Sequence, residues 1–248
     1  MEDITAKKQF IKRFSRFRIA EHWLIAATFA ILVVTGLSQK YYEAELSRWI
    51  VINLGGIDFV RLIHRSTGLF LSLLMMQHLL TAFFGVLLRR WEPSILINAK
   101  DFEDAIENMK YYFGLAGRPA RCDRYDYKQK FEYWGILTGG LLMIISGLTL
   151  WFPIPVSRVI PGAIIPAAKA LHTNEASIIF VIIALWHIYN SIFSPEVFPM
   201  DTSIITGRIS KERLMKEHAL EYERMFGEKT DLPEHVPVKH KASLTKVI

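Results

Sequence analysis

Residues 63–88 read IHRSTGLFLSLLMMQHLLTAFFGVLL, a run with one charged side chain, Arg65, and two histidines, His64 and His78, 14 residues apart. As a helix rising about 1.5 Å per residue it is long enough to cross a hydrocarbon core about 30 Å thick. Residues 172–194, HTNEASIIFVIIALWHIYNSIFS, repeat the pattern with His172 and His187 15 residues apart. Each histidine pair spans roughly 21–23 Å of helix. Ionisable groups at membrane depth are costly and mark function, and imidazole is a standard axial ligand of haem iron.

Two further runs are equally apolar: residues 19–38, IAEHWLIAATFAILVVTGLS, with His22, and residues 131–152, FEYWGILTGGLLMIISGLTLWF. Pro153, Pro155 and Pro195 stand where the third and fourth runs should stop. No small-residue cleavage site follows the first run, which therefore reads as a retained span. The fold expected is all-α, an integral membrane four-helix bundle with haems between the helices. Residues 1–200 form the membrane domain, with a cytoplasmic insert at 89–130, and residues 201–248 form a polar tail.

The chain has 248 residues, 51% hydrophobic, with a formal net charge of +6. Such a charge can signal nucleic-acid binding, but here Lys and Arg sort by connection instead of gathering on one patch. The N-terminal arm carries six (Lys7, Lys8, Lys12, Arg13, Arg16 and Arg18), the connection between spans two and three nine, and the tail nine. The other two connections, with their flanking ends, carry four and two. The positive-inside rule then sets both termini on the cytoplasmic side. Cys122, the single cysteine, excludes C-x-x-C-H haem attachment, a self-contained iron–sulfur cluster and an internal disulfide.

Within 89–130, the recurrence of Asp101, Phe102, Ala105, Ile106, Met109, Tyr112 and Phe113 predicts an amphipathic helix near the interface. Residues 210–226 predict a polar helix capped by Ser210. Tyr41, Tyr42, Trp151 and Tyr189 at span ends read as an aromatic belt. His218, His235 and His240 read as solvated or structural.

Topology limits which histidines can meet. His64 and His172 open their spans at the outer end, so a haem between them is natural there. An inner haem needs His187 with either His22 or His78. Small residues one turn away on the same face leave room for a porphyrin: Gly68 and Ala176 follow His64 and His172 by four, Ala26 follows His22 by four, and Ala184 precedes His187 by three. His78 has Leu74 and Met75 there, which favours His22–His187 and leaves His78 as a candidate ligand for a third haem or a contact for quinone.

RIAEHWLIAATFAILVVTGL, LIHRSTG, YDYKQKFEYW leading to ISGLTLWFP, and LWHIYNSIF together resemble the gamma-subunit cytochrome b of respiratory formate dehydrogenases over most of residues 12–222. That resemblance implies an inner haem on His22 and His187 and an outer haem on His64 and His172. It also implies quinone chemistry at the cytoplasmic end beside His187 and the YDYKQK stretch, with Asp126 and Gln129 as the matching candidates. Asp126 stands where the family usually has Asn, and a carboxylate there could exchange the protons of quinone chemistry. The fourth-span spacing of 15 departs from the family's usual 14, which would turn His172 relative to the family position. His78 is extra, and HTNEASIIFVIIALWHIYN, SPEVFPMD and KEHALEYE look closer to a branch that accompanies multihaem c-type cytochromes.

The expectation is an inner-membrane, multi-pass bacterial cytochrome b. It would carry two b haems, with a third open at His78, and pass electrons between menaquinone or ubiquinone and an outer-face partner. That partner is a multihaem c-type cytochrome or an iron–sulfur subunit; membrane lipid surrounds the spans and no nucleic acid is involved. The alternatives are a stand-alone transmembrane reductase fed by a soluble donor, and a haem-free membrane anchor or transporter.

Overall fold

The computed structural model describes residues 9–195 and 197–230; His235 and His240 lie outside them. The chain forms two compact units. One comprises residues 11–92 and 132–209, and the other is built on residues 93–131 and the C-terminal segment from Ser210, with Gln9 and Phe10.

The first unit holds the apolar helices. A short strand β1 (Phe10–Lys12) pairs with β2 (Arg208–Ser210), and Arg13 and Phe14 donate their N–H groups to the Gly207 carbonyl. Ser15 caps α1 (Arg16–Lys40), its hydroxyl accepting the Arg18 N–H at 3.2 Å, a preferred arrangement for the unpaired donors of a first turn. The amphipathic α2 (Glu45–Asn53) follows. Gly55 and Gly56, at φ +93° and +100°, turn the chain through a region where L side chains are strained and start α3 (Ile57–Leu87).

The third long helix, α5 (Tyr127–Trp151), stops before Pro153 and is followed by α6 (Pro153–Ser157). The fourth span opens as α7 (Ile164–Val181) and continues as π-helix through Ile182–His187 and Tyr189–Phe193. Among the described residues four helices are thus long and apolar enough to cross a membrane: Arg16–Lys40, Ile57–Leu87, Tyr127–Trp151 and Ile164–Phe193. All four begin earlier than hydropathy predicts, most of all the second, at residue 57 instead of 63, and the fourth, at 164 instead of 172. Hydropathy registers contact with lipid, whereas a helix can run on past the hydrocarbon through Asp58, Arg61 and Lys169. His64 and His172 consequently lie about two turns inside their helices, not at the mouths.

α1 packs mainly on α3 and also meets α2 and α7. α5 meets its neighbours through side chains, with Met75 of α3 against Gly140, and Glu175 and Ile179 of α7 against Gly139. The outward faces carry Ile31, Val34, Leu69, Leu73, Phe83, Ile145 and Leu185, all exposed. Apolar cover on this scale belongs in lipid. The inner faces carry Thr28, Thr35, Ser38 and Ser146, all buried. Each returns its hydroxyl to the carbonyl four residues back, so these four hydroxyls are paired at depth.

The second unit buries charged side chains. In α4 (Ala99–Tyr112), Asp101, Asp104 and Asn108 are buried while Phe102, Ile106, Met109 and Tyr112 are exposed. The Asn98 N–H donates to Asp101 at 2.7 Å, and Lys130 makes two contacts with the same carboxylate at 2.8 and 3.0 Å. Asn108 accepts the Ala120 N–H at 2.8 Å. Ser210 caps the helix Lys211–Glu217 as expected. His218 then interrupts it before a last helix, Ala219–Phe226. His218 is buried and its Nδ1 lies 2.8 Å from the Asp123 carbonyl, so of the two roles expected for it the structural one holds.

Candidate functional site

The helices of the first unit bring four histidines together as two pairs. His22 of α1 and His187 of the fourth span have ring centres 6.2 Å apart, with planes at 38°. His64 of α3 and His172 of α7 have ring centres 6.3 Å apart, with planes at 78°. Among the described residues no group of three or more His, Cys, Asp or Glu side chains gathers as a metal cage.

Three of the four rings are held through Nδ1. Thr35 donates its hydroxyl hydrogen to the Ile31 carbonyl at 2.7 Å and lies 2.9 Å from His64 Nδ1. With that hydrogen committed, Oγ1 can only accept from the ring, so His64 carries its proton on Nδ1 and keeps a free lone pair on Nε2. Ser146 repeats the device: its hydroxyl donates to Leu142 at 2.6 Å and lies 2.9 Å from His172 Nδ1. At His187 the acceptor is a carboxylate, with Glu132 Oε1 2.6 Å from Nδ1. His22 Nδ1 is buried with no hydrogen-bond partner among the described residues.

Glycines make room behind two of the rings. A Cβ on Gly36 would stand 3.2 Å from His64 Cε1, and one on Gly147 would stand 3.2 Å from His172 Cε1. Thr35–Gly36 and Ser146–Gly147 are thus the same device used twice, a hydroxyl to orient the ring and a glycine to admit it. Sequence reading passed over both, although VTGLS at 34–38 and ISGLT at 145–149 display the repeat.

A family model described as prokaryotic cytochrome b561 matches residues 13–201. The chain belongs to that family. The protein of Escherichia coli K12 named formate dehydrogenase, cytochrome b556(fdo) subunit, is 23% identical over 219 residues, covering 86% of this chain and 92% of that protein. The nitrate-inducible cytochrome b556(Fdn) subunit of formate dehydrogenase is 21% identical over 213 residues in the same organism, covering 86% and 90%. The Shigella flexneri protein of that name matches to the same extent. This family member is a multi-pass inner-membrane cytochrome b of respiratory electron transfer, and membership implies haem b.

The paired rings fit that group. Two imidazoles ligating one iron at about 2 Å each, with about 1.2 Å from nitrogen to ring centre, would have ring centres roughly 6.4 Å apart, close to the 6.2 and 6.3 Å found here. On the face of His64 one turn along, a Cβ built on Gly68 would stand in ordinary van der Waals contact with Leu32 Cδ2 at 3.9 Å.

Among the described residues, His78 pairs with no other histidine ring. Its Nε2 lies 3.0 Å from Tyr133 Oη, and its Nδ1 lies 3.1 Å from Arg18 Nη1 and 3.2 Å from Glu21 Oε1. Arg18 also binds Glu21 Oε2 at 2.5 Å and stacks on Trp91 at 4.8 Å. Asp126 and Gln129 meet each other: the Gln129 N–H donates to Asp126 Oδ1 at 2.7 Å, and the Asp126 N–H to Gln129 Oε1 at 3.3 Å. This is a reciprocal cap at the start of α5. It explains the D-x-x-Q pattern structurally, a role the sequence reading did not separate from quinone chemistry.

Proposed function

We propose that the chain carries two bis-histidine b haems, one on His22 and His187 and one on His64 and His172, and passes electrons between a quinone pool and a redox partner subunit. The observation that carries this reading is the pair of ring separations, 6.2 and 6.3 Å, inside a bundle of apolar helices. The haem supplies one-electron redox chemistry when bound. The protein's own residues supply ligands, tautomer control through Thr35, Ser146 and Glu132, and exclusion of water by the surrounding spans.

The positive-inside count supports cytoplasmic termini. The His22–His187 haem is then the inner one and the His64–His172 haem the outer one. The formate dehydrogenase subunits among the relatives support a quinone-linked role within a complex. An outer-face partner follows from that role, with an iron–sulfur subunit or a multihaem c-type cytochrome as its two forms. Asp126 and Gln129 are the candidates for hydrogen-bonding and exchanging protons with menaquinone or ubiquinone. His78, with both nitrogens engaged by side chains, has a structural role in this reading and adds no third haem.

Haem counting tests the proposal. Pyridine haemochrome on the purified chain should give two haems b per polypeptide, and His22→Ala and His64→Ala should each give one. Three haems, or none in folded protein, would overturn it.

A further inference from the structure

The two histidine pairs differ in what holds their rings. Both rings of the His64–His172 pair lean on neutral hydroxyls whose own hydrogens are committed to backbone carbonyls. In the His22–His187 pair, one ring leans on a carboxylate at 2.6 Å and the other has no partner on Nδ1 among the described residues. The Glu132 side chain is 12% exposed, so little water screens it.

A carboxylate accepting the Nδ1 proton draws positive charge off the ring and raises the electron density that Nε2 offers a metal. Greater donation stabilises the oxidised iron over the reduced, and hydrogen bonding to an axial ligand is one of the levers that set haem potential. We propose that Glu132 is a positioning and tuning residue: through His187 it holds the haem of the His22–His187 pair at a lower reduction potential than the haem of the His64–His172 pair. The inference rests on the ligand assignment proposed above. It makes transfer from the His22–His187 haem to the His64–His172 haem the downhill step within this chain, while net direction follows the donor and acceptor at its two ends.

The test is an anaerobic redox titration of the α-band of the full chain in membranes, on wild type, Glu132→Gln, Glu132→Asp and His187→Ala. Wild type should resolve two components, and His187→Ala should lose the lower one. Glu132→Gln keeps shape and a hydrogen-bond acceptor but removes the charge. It should retain both haems and raise the lower component by at least tenfold in its reduction equilibrium, about 59 mV for one electron, with the upper component unmoved. Glu132→Asp keeps the charge on a shorter arm and should give a smaller rise. It also answers the question should the glutamine variant fail to hold haem.

An unshifted lower component in a variant that holds both haems overturns the tuning role alone, as does a shift of the upper component instead. Retention of both haems by His187→Ala overturns the ligand assignment and the tuning proposal with it.

Discussion

A ring buried between membrane helices can coordinate a metal only if its proton is kept on the far nitrogen, and Thr35, Ser146 and Glu132 do this with two chemistries. The glycines beside the hydroxyls are as necessary as the hydroxyls. A β-branched side chain at Gly147 would drive into a ring already 3.2 Å from the position of a bare Cβ. Gly147→Val should therefore lose the haem of the His64–His172 pair and keep the other, read as one haem per chain by haemochrome. Asp126 allows its two roles to be separated, because Asn caps a helix as well as Asp does. Asp126→Asn should keep the melting temperature within about 2 °C while slowing quinol-dependent haem reduction on the order of 100-fold, the usual loss when a general acid–base group goes. Asp126→Ala should do both, costing about 1 kcal/mol in addition; equal quinol kinetics in wild type and the Asn variant would leave Asp126 a cap and nothing more. Cys122, buried in the polar unit, has its thiol pushed up to about 12, first by burial and then by the nearby Asp126 and Asp104 carboxylates. A thiol raised in the folded state favours folding below its ordinary value near 9, and that contribution is lost as the pH rises from there through about 12.

At the scale of elements, the fourth span resolves the odd histidine spacing. Fifteen residues from His172 to His187, where 14 is the family habit, should turn one ring away from its partner. Yet His187 stands 6.2 Å from His22, and His172 6.3 Å from His64. The π-helical stretch Ile182–His187 absorbs the extra residue, as one-residue insertions in helices commonly do, often at functional sites. No pattern of apolar residues announces a π turn, because the run SIIFVIIALW is apolar on every face; the spacing anomaly was its one visible trace. Deleting exposed Leu185 should return this stretch to α-helix and preserve both haems. Deleting Leu71 between His64 and His78, in a helix with no such slack, should rotate everything beyond it by about 100° and disturb the bundle. Haem content of the two deletion variants checks this, and loss of haem from the first would mean the π turn is itself required.

Over the whole molecule, what was legible follows from which solvent each segment meets. The four spans and their apolar outer faces could be read because lipid imposes one rule on every residue touching it, and the histidines stood out by breaking that rule. Which of them meet was less legible: topology left His22 or His78 open beside His187, and the preference for His22 came from small residues one turn away and from the family resemblance. The polar unit was read less well. Its α4 was recognised by its apolar spacing, but Asp101, counted there with Phe102 and Ile106, lies on the opposite, buried face, because Lys130, 29 residues away, neutralises it. Sequence spacing carries no trace of such a partner. The side chains of Lys130 and Asp101 are 6% and 5% exposed, so the pair is sensitive to half-removal: truncating one partner strands the other charge and typically costs about 3–5 kcal/mol, whereas replacing both with apolar groups of similar volume is often neutral. Asp101 also binds the Asn98 N–H, which adds the loss of a helix cap when it is truncated. Asp101→Ala and Lys130→Ala should each speed proteolysis of residues 93–131 in membrane vesicles by two orders of magnitude or more. The double variant Asp101→Leu with Lys130→Met should recover most of that protection. If the double variant is as labile as the singles, the ion pair supplies something an apolar contact cannot, and the cap at Asn98 is the first place to look for it.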